Sequence, residues 1–176
     1  MSAALDAVAS RIAGLPPPWR VGVDGVTAAG KTTVADALGK RLHAARLSID
    51  DFHRPPPHEY YPDSFDFPAF RRAVEGFDEN TIVDGVFLHH PDLRDLWHLS
   101  IFLRVDRQVA LDRALARDES WMPNARERYV TRYVPGETRY LAEVDPASQA
   151  DVVLDTTDLG APEIVREQRG QTPGGV

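Results

Sequence analysis

Residues Gly25 to Thr32 have the types and spacing of a phosphate-binding loop. They read Gly-Val-Thr-Ala-Ala-Gly-Lys-Thr and match the pattern G-x-x-x-x-G-K-[ST], the P-loop. The two glycines let the backbone curl so that successive N–H groups point at phosphate oxygens, and the helix that follows adds partial positive charge. In this chemistry Lys31 reaches the β- and γ-phosphates, and the Thr32 hydroxyl is a ligand of Mg²⁺. The motif therefore predicts binding of a nucleoside triphosphate.

The predicted ATP contacts all lie in this loop or in the first turn after it. They are Gly25, Thr27, Ala28, Ala29, Gly30, Lys31, Thr32 and Thr33. A chance glycine-rich turn is the alternative. The setting argues against it, because residues 20–24 have the pattern of a buried strand and residues 33–42 that of a helix with one apolar face.

The elements that must position this loop alternate between apolar strands and helices, a pattern typical of a parallel sheet covered on both faces. Strands are predicted at residues 20–24, 46–50, 81–84, 99–105 and 151–155. Helices are predicted at residues 2–14, 33–42, 66–76, 107–118 and 124–143, the last broken near Pro135-Gly136. The expected fold is an α/β P-loop NTPase of three layers, α/β/α, with a five-stranded parallel sheet and a helical, arginine-bearing lid.

Composition narrows the class of protein. The 176 residues suit one domain, predicted at residues 1–165, followed by a flexible tail at residues 166–176. The net charge of −7 argues against broad nucleic-acid binding, because little positive charge is available to neutralise phosphates. The sequence contains no run of eighteen apolar residues, so we expect no membrane span. The absence of cysteine excludes disulfides and fits an intracellular protein, for which we expect a cytoplasmic location.

Carboxylates follow two of the predicted strands. Asp50 and Asp51 end the second strand, and Asp84 ends the third directly before Gly85. Ligands of such sheets lie beyond the carboxyl ends of the strands. Phosphoryl transfer to a hydroxyl needs one carboxylate at the acceptor and another near the metal. An aspartate at a strand end is also an ordinary cap or turn residue, but the neighbouring P-loop favours a functional role.

Arginines follow the fourth strand. Arg113 and Arg117 are spaced i, i+4 on one helical face. A mobile segment that brings arginines over the phosphates would neutralise developing charge and exclude water. The alternative is a solvated face with local acidic partners. Four further arginines follow at positions 126, 128, 132 and 139.

These segments together resemble the uridine kinase-like branch of the P-loop kinases, which includes phosphoribulokinase and bacterial pantothenate kinase. Residues 24–33 resemble the family's P-loop, and residues 48–53, Ser-Ile-Asp-Asp-Phe-His, are similar to its S-x-D-x-F-Y segment. Residues 65–68 resemble its F-D-x-P, and residues 83–86 its acidic-Gly-hydrophobic segment. The resemblance continues into the lid and the last strand, at residues 93–97, 113–118, 140–146 and 150–153.

The resemblance implies roles for three aspartates. It implies that Asp50 is the base, that Asp66 contacts hydroxyls of the acceptor, and that Asp84 lies near Mg²⁺, where nucleoside kinases usually carry Glu.

One departure from the family concerns the acceptor. Nucleoside kinases of this family have about forty residues, including a β-hairpin that holds the base, where this chain has only residues 69–80. Side chains of the preceding loop could compensate, namely His53, His58, Tyr60 and Tyr61. We take His53 and Tyr61, with Asp66, as candidate substrate-binding residues.

The sequence therefore predicts an ATP- and Mg²⁺-dependent kinase acting on a small hydroxylated molecule. Its expected catalytic residues are Lys31, Asp50, Arg113 and Arg117, and its expected metal ligands are Thr32 and Asp84. We expect no nucleic-acid or membrane partner, and a homo-oligomer stays open. A non-catalytic nucleotide-binding regulatory protein is the main alternative, and a P-loop switch or motor is less favoured because a kinase-like lid stands in place of its effector elements.

Overall fold

The computed structural model describes residues 2–56 and 59–167. Six strands in these ranges form one sheet. They are β1 Arg20–Gly25, β2 Ala45–Ser48, β3 Thr81–Gly85, β4 Leu99–Arg104, β5 Val152–Asp155 and β6 Glu163–Glu167. Their order is β2-β3-β1-β4-β5-β6, and β1 to β5 are parallel. The predicted five-stranded parallel sheet is therefore confirmed, and β6 adds an antiparallel edge beside β5.

The helices follow the strands as the alternation predicted. In the described residues they are α1 Ala3–Ala13, α2 Lys31–Leu42, α3 Phe67–Glu75, α4 Arg107–Asp118, α5 Ala125–Arg128, α6 Val134–Val144 and α7 Pro146–Gln149. Short 3₁₀ turns occur at Ile49–Phe52 and Arg94–Leu96. None of these helices is long and apolar enough to cross a membrane.

The core is divided by the sheet. On one face Val21 and Val23 of β1 pack in a cluster that includes the apolar sides of α1 and α2. A second cluster on the other side contains Val83 of β3 and many aromatic side chains from residues 60–70 and α6. Helices and chain segments therefore cover both faces, as expected for a buried parallel sheet.

The predicted helix break near Pro135-Gly136 is wrong. The chain stays helical from α5 through a π-type segment, Tyr129–Tyr133, into α6. Proline lacks an N–H, and its ring crowds the carbonyl four residues earlier. The wider turn before Pro135, in which the Val134 N–H bonds to the Tyr129 carbonyl, accommodates the ring without ending the helix.

Two predicted boundaries also change. Strand β2 ends at Ser48, so Asp50 lies in the following 3₁₀ turn and not in the strand. Arg166 and Glu167, predicted to begin a flexible tail, belong to β6, where Arg166 donates to the carbonyls of Ala147 and Ser148. The rest of the predicted tail, residues 168–176, lies outside the described residues.

Candidate active site

The P-loop joins the carboxyl end of β1 to the first turn of α2. Gly30 has a φ of 93°, and a Cβ there would lie 2.2 Å from Leu159 Cδ2. Both the left-handed backbone and the close approach require glycine at this position. Lys31 is the first residue of α2, and its Nζ donates to the carbonyl oxygen of Val26, 2.8 Å away, across the loop.

The Lys31 amine lies among carboxylates. Desolvation lowers its pKa, while the negative charges of Glu137, Asp50, Asp24 and Asp84 act in the opposite direction. The amine therefore lies in the field of several acidic groups. These carboxylates offset part of the effect of burial and so favour the charged amine that a phosphate group would bind.

Thr32 and Asp84, the predicted metal ligands, are in contact. The Thr32 hydroxyl donates to Asp84 Oδ2 at 2.9 Å, and Asp84 is buried at the end of β3. Their oxygens suit Mg²⁺, which is held in such sites by one or two carboxylates plus substrate phosphates and water. No group of three or more His, Cys, Asp or Glu side chains in residues 2–56 and 59–167 could hold a metal ion. The residues therefore fit a metal that is bound jointly with the nucleotide.

Arg46 is a site residue that the sequence analysis missed. Its guanidinium donates to Asp84 Oδ1 at 2.6 Å and also pairs with Asp36. It therefore contacts one oxygen of the Asp84 carboxylate while Thr32 contacts the other. A single arginine in a short strand gives no sequence signal for this role, because the contact joins β2 to β3.

Asp50 lies in the cleft in front of the P-loop. This cleft has a volume of about 770 Å³, and its lining includes Lys31, Thr32, Asp50 and Asp84. The Asp50 side chain is 72% exposed. Asp51 is also exposed but does not line the cleft. Of the two neighbouring aspartates, Asp50 alone lines the cleft.

Two aromatic residues of the loop after Asp50 also reach the cleft. His53 Nε2 lies 3.9 Å from Asp50 Oδ1, and the imidazole packs against the Phe65 ring with centroids 4.3 Å apart. The Tyr60 hydroxyl lies 3.5 Å from Thr27 Oγ1 of the P-loop. His58, the other loop histidine considered, lies outside the described residues.

Arg113 and Arg117 both line the cleft. The Arg113 guanidinium donates to the carbonyl oxygens of Thr156 and Thr157, at 2.9 and 2.7 Å. Arg117 makes a two-point contact with the buried Asp118 carboxylate, at 2.7 and 2.8 Å. The four later arginines do not line the cleft.

Two predicted substrate-binding residues do not reach the cleft. The Asp66 carboxylate caps α3, where its Oδ1 accepts from the Ala69 N–H at 2.9 Å. Tyr61 packs in the aromatic core, with ring centroids 4.9 Å from Phe87 and 5.3 Å from Tyr140. The first has the ordinary helix-cap role of an aspartate, and the second is held by tertiary packing.

Glu137 is a second residue that the sequence analysis missed. This residue of α6 is 8% exposed, and its Oε1 accepts from the Thr27 N–H at 2.6 Å. Burial raises the pKa of Glu137, and the hydrogen bonds from Thr27 and the charge of Lys31 act against that rise. The contact joins the lid to the P-loop across 110 positions of the chain, so no local pattern could reveal it.

Asp24 anchors the start of the P-loop. It is fully buried; Oδ1 accepts from the Gly25 N–H at 2.7 Å, and Oδ2 lies 2.7 Å from His89 Nδ1 and accepts from the Tyr140 hydroxyl. Burial alone would raise the pKa of Asp24. The hydrogen bond and charge of His89, together with the Tyr140 hydroxyl, outweigh burial and lower it.

The parallel sheet with the P-loop at its carboxyl edge and α4 to α6 beside it form the α/β fold that P-loop kinases also have. Solved structures agree. The chain is similar to a possible uridine kinase from Bacillus stearothermophilus, with a TM-score of 0.64 and 20% identity over 85% of this chain and 96% of that one. It is also similar to shikimate kinase from Bacteroides thetaiotaomicron, with a TM-score of 0.55 and 16% identity over 80% and 88% of the two chains.

Sequence relatives narrow the class. The chain is 30% identical over 142 residues to uridine-cytidine kinase B of Dictyostelium discoideum, and 29% identical over 143 residues to the chloroplastic uridine/cytidine kinase UKL1 of Arabidopsis thaliana. Each match covers 57% of this chain, but 58% of the first relative and 30% of the second. No family model matches the sequence. Together the relatives and the structural neighbours support a uridine kinase-like family, which confirms the resemblance of the motifs.

Proposed function

We propose that this chain transfers the γ-phosphoryl group of ATP to a hydroxyl of a small molecule. The observation that carries the proposal is the exposed Asp50 carboxylate in the same cleft as Lys31 and Thr32. A protein that only bound a nucleotide would not need a carboxylate on the acceptor side of the P-loop. The kinase names of its relatives support this reaction class.

In the proposed mechanism the P-loop amides and Lys31 hold the phosphates of ATP. Asp50 orients the acceptor hydroxyl and takes its proton as the acceptor oxygen bonds to the γ-phosphorus. The bond from that phosphorus to the β–γ bridging oxygen breaks, and ADP leaves. Arg113 and Arg117 stabilise the charge on the phosphoryl group in transit. Mg²⁺, held by Thr32 and Asp84, would neutralise phosphate charge.

For the acceptor we propose a small polyol or a sugar-like alcohol. Helix α3 is joined to β3 by Gly76–Asn80 alone, which leaves no chain for a base-gripping hairpin at this point. The cleft lining also includes Tyr60 and His53, whose Nε2 lies 3.9 Å from Asp50 Oδ1. These groups suit hydrogen bonds to hydroxyls. Asp66, engaged as a helix cap, is left out of this acceptor site.

A non-catalytic, nucleotide-binding regulatory protein is the second candidate. The short connection between α3 and β3 favours it, because a lost acceptor clamp could mean a lost acceptor. Retention of Asp50, Arg113 and Arg117 in the cleft favours the kinase.

A panel of nucleosides, sugars and pantothenate-like alcohols separates the two candidates. The measurement is ADP release with each acceptor, over the background without acceptor. The kinase proposal expects at least one acceptor to raise the rate and to appear as its phosphate ester by mass spectrometry. ATP binding with no acceptor-dependent ADP release across the panel would favour the regulatory protein.

A further inference from the structure

A second cavity lies behind the P-loop, between α4, α6 and the carboxyl end of β4. It has a volume of about 370 Å³. Of the residues that line the cleft of the proposed reaction, only Thr27 and Tyr129 also line this cavity. We call it the α4–α6 cavity. It lies within the usual size range of small-molecule sites, and the proposed function does not use it.

The lining of the α4–α6 cavity has a buried apolar part and an exposed charged part. The buried part is apolar and includes Phe102, Leu103 and Ala114. The exposed lining residues include Arg104 and Arg107, so this end opens to solvent with positive charge. Arg104 is paired with Asp155, whereas Arg107 has no ion pair in the part of the chain that the structure describes.

Glu137 supplies a polar group to the inner part of the cavity. Its side chain lines the cavity and is more than nine-tenths buried. Thr27 provides its hydrogen bonds within the described residues. An ionised carboxylate has about four acceptor positions, so Glu137 retains capacity for a further donor. A buried carboxylate in apolar surroundings is costly unless such donors are present.

We propose that the α4–α6 cavity binds a small planar organic anion that carries an N–H donor at the end opposite its negative charge. The N–H group would donate to Glu137, the flat apolar body would pack between Phe102 and Ala114, and the anionic group would pair with Arg107. The lining offers a buried acceptor, an apolar wall and an exposed cation, one for each of these groups. The proposal does not rest on the kinase activity.

The cavity is connected to the P-loop through Glu137. Because Glu137 Oε1 accepts from the Thr27 N–H, a ligand that bonds to Glu137 acts on the same carboxylate that holds the loop. Binding at the two sites should therefore be coupled, and the coupling must be reciprocal. Saturating ATP should shift the ligand's dissociation constant by a finite factor, whereas competition for one site would shift it without limit.

The test uses the fluorescent probe 6-aminonaphthalene-2-sulfonate and its amine-free analogue naphthalene-2-sulfonate, titrated against the full chain. We expect one saturable site for the aminated probe, with a Kd below about 1 mM. Glu137→Gln should weaken the aminated probe about fivefold or more, because the acceptor loses its charge, and should change the amine-free analogue little. Arg107→Ala should weaken both probes by about two- to fivefold.

Two further variants locate the site. Leu111→Trp places a large ring in the cavity and should abolish binding, whereas Arg72→Ala, which removes an exposed arginine of α3 far from the cavity lining, should leave both Kd values unchanged. Arg107→Ala removes an exposed side chain, so it keeps the test decisive if Leu111→Trp fails to fold. Equal binding of the two probes, insensitivity to Arg107→Ala, or displacement by ATP without limit would each overturn the proposal.

Discussion

Lys31 is the basic residue of the P-loop, and its amine lies close to several carboxylates. Its amine bonds to the Val26 carbonyl and lies in the field of Glu137, Asp50, Asp24 and Asp84. In the proposed complex, the amine would donate charge-assisted hydrogen bonds to phosphate oxygens in place of the Val26 carbonyl. The same residue would then serve the folded loop in one state and the nucleotide in another.

We predict that Lys31→Ala weakens ATP binding by about 10- to 100-fold, the value of losing a hydrogen bond to a charged group. Isothermal titration calorimetry measures the effect. Lys40→Ala is a matched control, since Lys40 is the other lysine of the chain and lies exposed at the far end of α2. Equal ATP affinity in wild type and Lys31→Ala would remove the basis of the proposed function.

Asp24 is a second residue whose charge has a structural consequence. We predict that Asp24→Ala lowers the free energy of unfolding by about 3–5 kcal/mol, because it leaves the buried His89 and Tyr140 groups without their partner. Urea unfolding measures this loss. Asp6→Ala, which breaks a surface pair with Arg41, should change stability by less than about 1 kcal/mol.

The lowered pKa of Asp24 fixes the sign of a pH effect. A carboxyl whose folded pKa lies below its unfolded value stabilises the fold above the unfolded pKa and loses that contribution as pH falls through the folded pKa. The wild type should therefore lose stability below about pH 4 more steeply than Asp24→Ala. Parallel acid unfolding curves of the two proteins would contradict this role for Asp24.

Among the elements, α6 connects the most parts of the site. Glu137 bonds to the P-loop, Tyr140 to Asp24, and Gly136 lies against the loop that carries Tyr60 and Tyr61. A Cβ at Gly136 would come within 2.9 Å of Tyr60 Cδ1 and 3.2 Å of the Tyr61 nitrogen. The lid helix can approach the acceptor loop this closely because the position has no side chain.

We predict that Gly136→Ala destabilises the protein although it favours the helix. Overpacking costs about 1–3 kcal/mol, and the gain in helix propensity of about 1 kcal/mol offsets only part of it. Gly14→Ala is the matched control, because a Cβ there meets Arg11 O at an ordinary 3.4 Å. Thermal or urea unfolding should give opposite signs for the two variants, or a neutral result for Gly14→Ala. Equal stabilisation by both would contradict the close contact.

Elements that depend on short stretches of sequence could be predicted from the sequence alone. The P-loop, the five parallel strands and the longer helices could be predicted because their periodicity and turn residues lie within short windows. Strand β6 was missed because Glu-Ile-Val-Arg-Glu is short, polar at alternate positions and next to a polar tail. The π-type segment before Pro135 was missed because proline predicts a break, whereas a wider turn can also accommodate it.

Site residues that depend on tertiary contacts could not be predicted. Arg46 and Glu137 contact partners on other elements, at Asp84 and Thr27, and neither lies in a motif. Asp66 fits the family's F-D-x-P segment, but the first turn of α3 uses its carboxylate.

At the scale of the whole molecule, the proposed function requires one cleft at the carboxyl edge of the sheet to accommodate both the nucleotide and the acceptor. The P-loop lies beside β3 and the Asp50 turn on one side and beside the lid on the other. Phe65, Phe67 and Phe87 are buried in the aromatic core beside the acceptor loop. Since the connection at residues 76–80 adds no hairpin to the cleft, we infer a shallow acceptor side.

We therefore predict that uridine and cytidine are poor substrates with weak saturation, because little buried contact is available to position a base. A smaller polyol or sugar-like alcohol should have the higher kcat/KM. Steady-state kinetics over both acceptor classes measures the difference. Uridine that saturates in the micromolar range with ordinary turnover would refute the shallow acceptor site and restore a nucleoside acceptor.

The most direct test of phosphoryl transfer in this cleft compares Asp50→Asn with Asp51→Asn in the acceptor-dependent ADP release assay. Both changes keep side-chain shape and remove a carboxylate, but only Asp50 lines the cleft. Turnover should fall by about 10²–10⁴-fold in Asp50→Asn, the usual contribution of a general base, with ATP affinity within a few-fold of wild type. Asp51→Asn should retain near wild-type turnover. Wild-type turnover in Asp50→Asn together with a large loss of turnover in Asp51→Asn would contradict the role of Asp50 as the base.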